Sequence, residues 1–141
     1  MNSNVELACI IDDDGIYLSL IKKIIQTKKL CKNLLIFNDG KESIDYFEAL
    51  LQNLNEEKIP EIIFLDLNMP IMDGWEFIER FTKIKNKFGK VISLYIVSSS
   101  INPIDVDRAK ELSCVEGYLV KPVNISEFQS IFNKNDAKTS A

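Results

Sequence analysis

The chain has 141 residues, 17 basic and 21 acidic side chains, a net charge of −4 and no histidine. The missing histidine removes imidazole general bases, histidine metal ligands and the Ser-His-Asp triad, and the missing basic surplus argues against nucleic acid as a partner. One domain fits this length, and 46% hydrophobic against 27% charged residues is the balance of a globular protein with its own core.

In chain order, Leu7–Ile11 is a short continuous apolar run, as in a strand buried on both faces. Ile16, Leu20, Ile21, Ile24 and Ile25 then recur at helical spacing, with Lys22, Lys23 and Lys28 opposite. Leu34–Phe37 reads as a second strand, and Lys41–Leu54 as a helix with Ile44, Phe47, Leu51 and Leu54 along one stripe. Ile62–Leu65 is a third buried strand, and Asn68–Gly74 a turn-rich loop in which Gly74 is expected to adopt a backbone shape other residues resist. From Trp75 the helical period returns through Phe77, Phe81, Ile84 and Phe88. Val91–Val97 reads as a fourth strand. Asn102-Pro103 signals a helix start, with Val106, Ala109 and Leu112 giving that helix a weak apolar side. Gly117–Val120 reads as a fifth strand, and Asn124 as the cap of a last helix facing inward through Phe128, Ile131 and Phe132.

Strands alternating with helices predict an α/β domain over residues 1–133, built on a parallel sheet with helices on both faces, followed by a polar tail at 134–141. The chain stops after the fifth unit, so no output domain is expected. Cys9, Cys31 and Cys114 match no metal-ligand spacing and read as buried small apolar residues of a reducing compartment. Neither a signal peptide nor a run of about 20 apolar residues is visible, so the expectation is a cytoplasmic location without a membrane partner.

The chemistry is expected at the strand ends. Asp12, Asp13 and Asp14 follow the first strand, and Asp66 follows the third. In open parallel sheets ligands bind outside the carboxyl ends of the strands, where strand order reverses. If strands one and three are neighbours there, Asp12, Asp13 and Asp66 converge. Converging carboxylates repel one another and push a pKa up, and oxygen donors without His or Cys suit Mg²⁺ or a similar ion. Ser98 closes the fourth strand and Lys121 the fifth, before Pro122, a candidate cis bond. A hydroxyl and an ammonium beside such a site suit phosphoryl transfer, where positioning and charge neutralisation carry the reaction. Asp66 would be the nucleophile, with Mg²⁺, Lys121 and Ser98 or a loop N–H each taking one phosphoryl oxygen. Taken singly, each residue has a plainer reading: helix caps for the aspartates, a polar strand end for Ser98, a surface lysine for Lys121. Their joint placement at four strand ends favours the functional one.

From about Glu6 to Phe132 the chain resembles receiver domains of bacterial response regulators, single-domain type. The resemblance is carried by Ile11-Asp12-Asp13-Asp14, Asp66-Leu67-Asn68-Met69-Pro70, Met72-Asp73-Gly74, Val97-Ser98-Ser99 and Lys121-Pro122. It implies the flavodoxin-like fold with strand order 2-1-3-4-5. It further implies Asp66 as phosphoacceptor, and Mg²⁺ held by Asp12, Asp13, Asp66 and the backbone carbonyl of Asn68. Lys121 would be the family's lysine, Ser98 the switch hydroxyl (more often Thr) and Tyr118 the switch aromatic. Ser99 fits the small residue after the hydroxyl, and Asn68 and Ser100 fit positions that tune phosphoryl lifetime. The implied partners are a histidine kinase or a histidine phosphotransfer protein, and a downstream protein met through the fourth helix, fifth strand and fifth helix.

Such a protein is no enzyme beyond its own phosphotransfer and slow autodephosphorylation, and is expected as a monomer or a phosphorylation-dependent dimer. Other readings are a phosphoryl shuttle or sink, and an aspartate-nucleophile phosphohydrolase. The latter wants an acid two residues after the nucleophile, where this chain has Asn68. A flavodoxin-like cofactor binder is opposed by Asp12–Asp14, which would repel a phosphate, and a pseudo-receiver by the intact polar set.

Overall fold

Leu7–Ile11 (β1) is buried at all five positions, with alternate side chains in two separate cores: Ala8 and Ile10 in one, Cys9 and Ile11 in the other. That is the mark of a strand covered on both faces. The computed structural model describes residues 5–140, with side chains described to residue 133. After β1 come α1 (Gly15–Lys28), β2 (Asn33–Phe37), α2 (Gly40–Leu50), a 3₁₀ turn at Glu56–Lys58 and β3 (Ile62–Leu65). Then follow α3 (Gly74–Ile84), a second 3₁₀ turn at Lys85–Phe88, β4 (Ser93–Ser98), α4 (Pro103–Lys110), β5 (Val115–Val120) and α5 (Ile125–Ser140). The strands form one parallel sheet in the order β2-β1-β3-β4-β5, as expected.

One core lies under α1 and α5, where Leu18, Ile21, Ile25, Phe128, Ile131 and Phe132 meet Ala8, Ile10, Phe64 and Val97. The other lies under α2, α3 and α4, with Phe47, Phe77, Phe81 and Phe88 packed ring to ring against Ile63, Leu65 and Ile96. Two layers of helices on a twisted parallel sheet leave the carboxyl ends of β1 and β3 side by side, which creates the crevice.

Several details differ from the sequence reading. The buried stripe of α1 is Leu18, Ile21 and Ile25, while Ile16 and Leu20 are 86% and 55% exposed. The helix carries two apolar stripes, and its docking on the sheet buries the one through Leu18, Ile21 and Ile25; Asp14 caps its start by accepting the N–H groups of Ile16 and Tyr17. α2 ends at Leu50 and leaves Leu54 exposed, because the chain turns there toward β3. β4 starts at Ser93, with Val91 outside it and exposed. Phe88 reaches the core from a 3₁₀ turn, not from a continued α3. Cys9 and Cys114 are buried, whereas Cys31 is only partly so. Asn102 and Asn124 act as expected, accepting the N–H groups of Ile104 and Glu127. The polar tail expected at 134–141 lies outside the residues whose side chains are described. No helix among the described residues is long and apolar enough to cross a membrane.

Asp14→Ala is expected to cost about 1 kcal/mol, the ordinary value of a lost helix cap, as a lowered urea midpoint with unchanged slope. No change in the midpoint would mean the cap bonds are fully replaced by water.

Candidate functional site

β1 and β3 are neighbours, with Ile11 paired to Leu65, so the residues after them leave the sheet side by side. Asp12 follows Ile11 and Asp66 follows Leu65. Both stay attached to the sheet: the Asp12 N–H donates to the Phe37 carbonyl at 3.0 Å and the Asp66 N–H to the Ile11 carbonyl at 2.9 Å. Asp12 and Asp66 are buried, at 1% and 7% exposure, and Asp13 is exposed. Each offers a carboxylate oxygen to a common point, the three oxygens lying within 4.8 Å of one another. Asp14 stands apart from this trio, as the cap of α1. The helix-cap reading was therefore right for Asp14.

Lys121 reaches the trio from the end of β5. Its Nζ lies 2.8 Å from Asp12 Oδ2 and 3.9 Å from Asp66 Oδ2, with the side chain 15% exposed. Its backbone N–H donates to the Ser98 carbonyl at 2.9 Å, tying the ends of β4 and β5 together. The Lys121-Pro122 bond is cis. One ammonium facing three carboxylates leaves the pocket electronegative. Burial, and then the Asp12 charge, push the Asp66 carboxyl up to about 6, against the pull of Lys121 and of the Asn68 backbone N–H. Burial also raises Asp12, opposed by Lys121. The donors are all hard oxygens, close enough for one ion, and their charges are under-compensated. That set fits Mg²⁺ and gives no purchase to a soft metal.

Ser98 is fully buried, and its Oγ accepts the Ser100 N–H at 3.1 Å. Tyr118 is half-buried, and its hydroxyl donates to the Ser100 carbonyl at 2.9 Å. The Ser100 hydroxyl donates to Asp105 Oδ2 at 2.7 Å, in the first turn of α4. Ser100 thus ties the expected switch hydroxyl, the expected switch aromatic and α4 to one residue. Asn68 lies two residues beyond Asp66 and is exposed, with its N–H donating to the Asp66 carboxylate.

Gly74 needs correction. Its φ is not positive, so backbone freedom is not the reason for glycine there. The reason is space: a Cβ at Gly74 would sit 2.5 Å from the Asp66 carbonyl oxygen and 2.8 Å from Leu67 Cα. The Gly74 N–H donates to the Leu67 carbonyl at 2.9 Å across this contact. Gly40 plays a similar part against the Met72 carbonyl oxygen at 2.7 Å, a role with no sequence signal beyond the glycine itself. Tyr17 was also missed: its ring lies 4.3 Å below the Lys121 ammonium. An aromatic in an amphipathic helix reads as packing. Trp75 is only partly buried, with the Arg108 guanidinium 4.3 Å over its ring.

The geometry agrees with known proteins. The family model for the response regulator receiver domain matches residues 8–133. The sensor histidine kinase CheAY of Helicobacter pylori is 34% identical over 112 residues, 79% of this chain and 13% of that much longer protein. The response regulator Rcp1 of Synechocystis sp. is 27% identical over 118 residues, 84% of this chain and 78% of that protein. A two-component response regulator of Cytophaga hutchinsonii superposes with a TM-score of 0.78 at 28% identity, covering 93% of this chain and 96% of that one. The Mn(2+)-bound form of a response regulator Rcp1 superposes with a TM-score of 0.67 at 25% identity, covering 92% and 90%. Two strands ending in converging carboxylates, with a lysine delivered from the fifth strand, agree with the 126-residue family match, and the chain belongs to the response regulator receiver domain family, the phosphoacceptor modules of two-component signalling.

Proposed function

We propose that Asp66 accepts a phosphoryl group from a phosphohistidine, on a histidine kinase or a histidine phosphotransfer protein, in a Mg²⁺-dependent reaction. The observation that carries this reading is the convergence of Asp12, Asp13 and Asp66 within 4.8 Å, with Lys121 against two of them. An Asp66 carboxylate oxygen attacks phosphorus, the P–N bond breaks, and its electron pair leaves with the imidazole, giving an acyl phosphate on Asp66. Lys121 turns its ammonium from Asp12, its hydrogen-bond partner at 2.8 Å, to a phosphoryl oxygen, and the Ser98 hydroxyl donates to another. Asp12, Asp13, Asp66 and the backbone carbonyl of Asn68 would hold Mg²⁺, which when bound neutralises charge on the transferring group. Asn68 stands where a phosphohydrolase needs its acid, so turnover of a phosphomonoester is not expected and the protein acts as a signalling module, not an enzyme.

The phosphoryl oxygens become a signal through Ser100. If the Ser98 hydroxyl moves toward Asp66, Ser100 follows through the N–H that Ser98 Oγ accepts, and the Ser100 carbonyl is what Tyr118 holds. Tyr118 also lines a groove of about 500 Å³ between α4 and β5, with Val106, Ala109, Val115 and Val120. Its rotation reshapes that surface, where a downstream protein would dock, in the cytoplasm and without nucleic acid or membrane. A shuttle or sink would use Asp66 in the same way without needing this groove.

Treatment with acetyl phosphate and Mg²⁺, then borohydride, is expected to convert residue 66 to homoserine, read by peptide mass. Homoserine at another aspartate, or at none while phosphoryl is incorporated, contradicts the assignment.

A further inference from the structure

A lysine on a four-carbon stem does not by itself fix its ammonium. Lys121 is fixed by three contacts: Asp12 Oδ2 at 2.8 Å, Asp66 Oδ2 at 3.9 Å, and the face of Tyr17 at 4.3 Å from the ring centre. The ring is itself held. Asp14 accepts the Tyr17 N–H at 3.1 Å, pinning the first turn of α1, and the ring packs on the core beneath α1 and α5. An aromatic face attracts an ammonium through its quadrupole, more strongly where water is partly excluded, and the Lys121 side chain is 15% exposed. Asp12 alone would draw the ammonium onto itself; the ring supplies a second attraction that asks nothing of the carboxylates.

We infer that Tyr17 is a positioning residue that holds the Lys121 ammonium beside Asp66 for phosphoryl transfer. This rests on the reading of Asp66 as the acceptor. Tyr17 touches no reacting atom. With acetyl phosphate as donor, the Asp66–phosphorus bond forms as the donor's P–O bond breaks, and acetate leaves with the electron pair. Lys121 keeps its protons throughout and only neutralises charge, so its value depends on where it stands. The ring face is what matters, and the Tyr17 hydroxyl is dispensable.

Tyr17→Leu keeps apolar bulk and removes the π face, whereas Tyr17→Phe keeps the face and removes the hydroxyl. NMR of the full chain is expected to show Lys121 ε-methylene protons shifted upfield by the ring current in wild type and Tyr17→Phe, and at ordinary positions in Tyr17→Leu. With acetyl phosphate and Mg²⁺, Tyr17→Leu is expected to phosphorylate about three- to tenfold more slowly than wild type, and Tyr17→Phe at the wild-type rate. Matching urea midpoints for the two variants separate this from a folding defect. Ordinary ε-proton shifts in wild type, or equal rates for the Leu and Phe variants, overturn the inference. A wild type with the ring-shifted lysine and no phosphoryl uptake overturns the function proposed above and this role with it, the ring shift showing that the placement of Lys121 was not at fault.

Discussion

Asp66→Asn is expected to abolish phosphoryl uptake and, without metal, to make the protein more stable. The side chain is 8% exposed, and its carboxyl pKa stands at about 6 instead of 3.8 because burial and the Asp12 charge oppose ionisation. Holding that carboxylate ionised at neutral pH costs the fold on the order of 3 kcal/mol. Asparagine keeps the shape without the charge, and Lys121 keeps Asp12 at 2.8 Å, so no ammonium is stranded. The expected gain is about 1–3 kcal/mol at pH 7, a rise in Tm of about 3–8 °C. The sign follows from linkage. A raised carboxyl pKa means that the folded state binds the proton more tightly than the unfolded one. The stability of wild type therefore falls, relative to the variant, as pH rises from about 4 through about 6. The two proteins should converge near pH 4, where both side chains are neutral, and Mg²⁺ should stabilise wild type far more than the variant. Unfolding curves in chelator across this range check the claim; parallel curves for the two proteins would mean that Asp66 carries no such penalty.

Gly74→Ala is expected to cost about 2–4 kcal/mol. A methyl group there meets backbone on two sides, the Asp66 carbonyl oxygen at 2.5 Å and Leu67 Cα at 2.8 Å, and neither can turn aside as a side chain would. Overpacking of this kind costs about 1–3 kcal/mol even where side chains absorb part of it. Relief requires α3 to move off the loop, stretching the bond from the Gly74 N–H to the Leu67 carbonyl. That loop starts at Asp66, so on the proposed role of Asp66 phosphorylation should slow along with the loss of stability. Urea unfolding and the acetyl phosphate rate, measured on one preparation, are the test. A midpoint within about 0.5 kcal/mol of wild type would show that the loop yields freely.

Strand positions were legible because strands covered on both faces leave continuous apolar runs such as Leu7–Ile11 and Ile62–Leu65. The carboxylates of the site were legible because an open parallel sheet places ligands at strand ends, and Asp12, Asp13 and Asp66 sit one or two residues past them. The phase of α1 was not, since Ile16 and Leu20 form one apolar stripe and Leu18, Ile21 and Ile25 another, and only the docking of the helix selects between them. Gly74 was singled out for the wrong reason, because a close approach between chain segments leaves the same mark in a sequence as an unusual φ. Tyr17 was invisible, since its partner Lys121 arrives from the far end of the chain through the sheet order.

The central claim is that one acidic, metal-dependent pocket phosphorylates Asp66. Its most direct test is the intact mass of wild-type protein after acetyl phosphate, with Mg²⁺ and with chelator. One added phosphoryl group with the metal and none with chelator is the expected result; no uptake in Mg²⁺, or equal uptake in both, would contradict it.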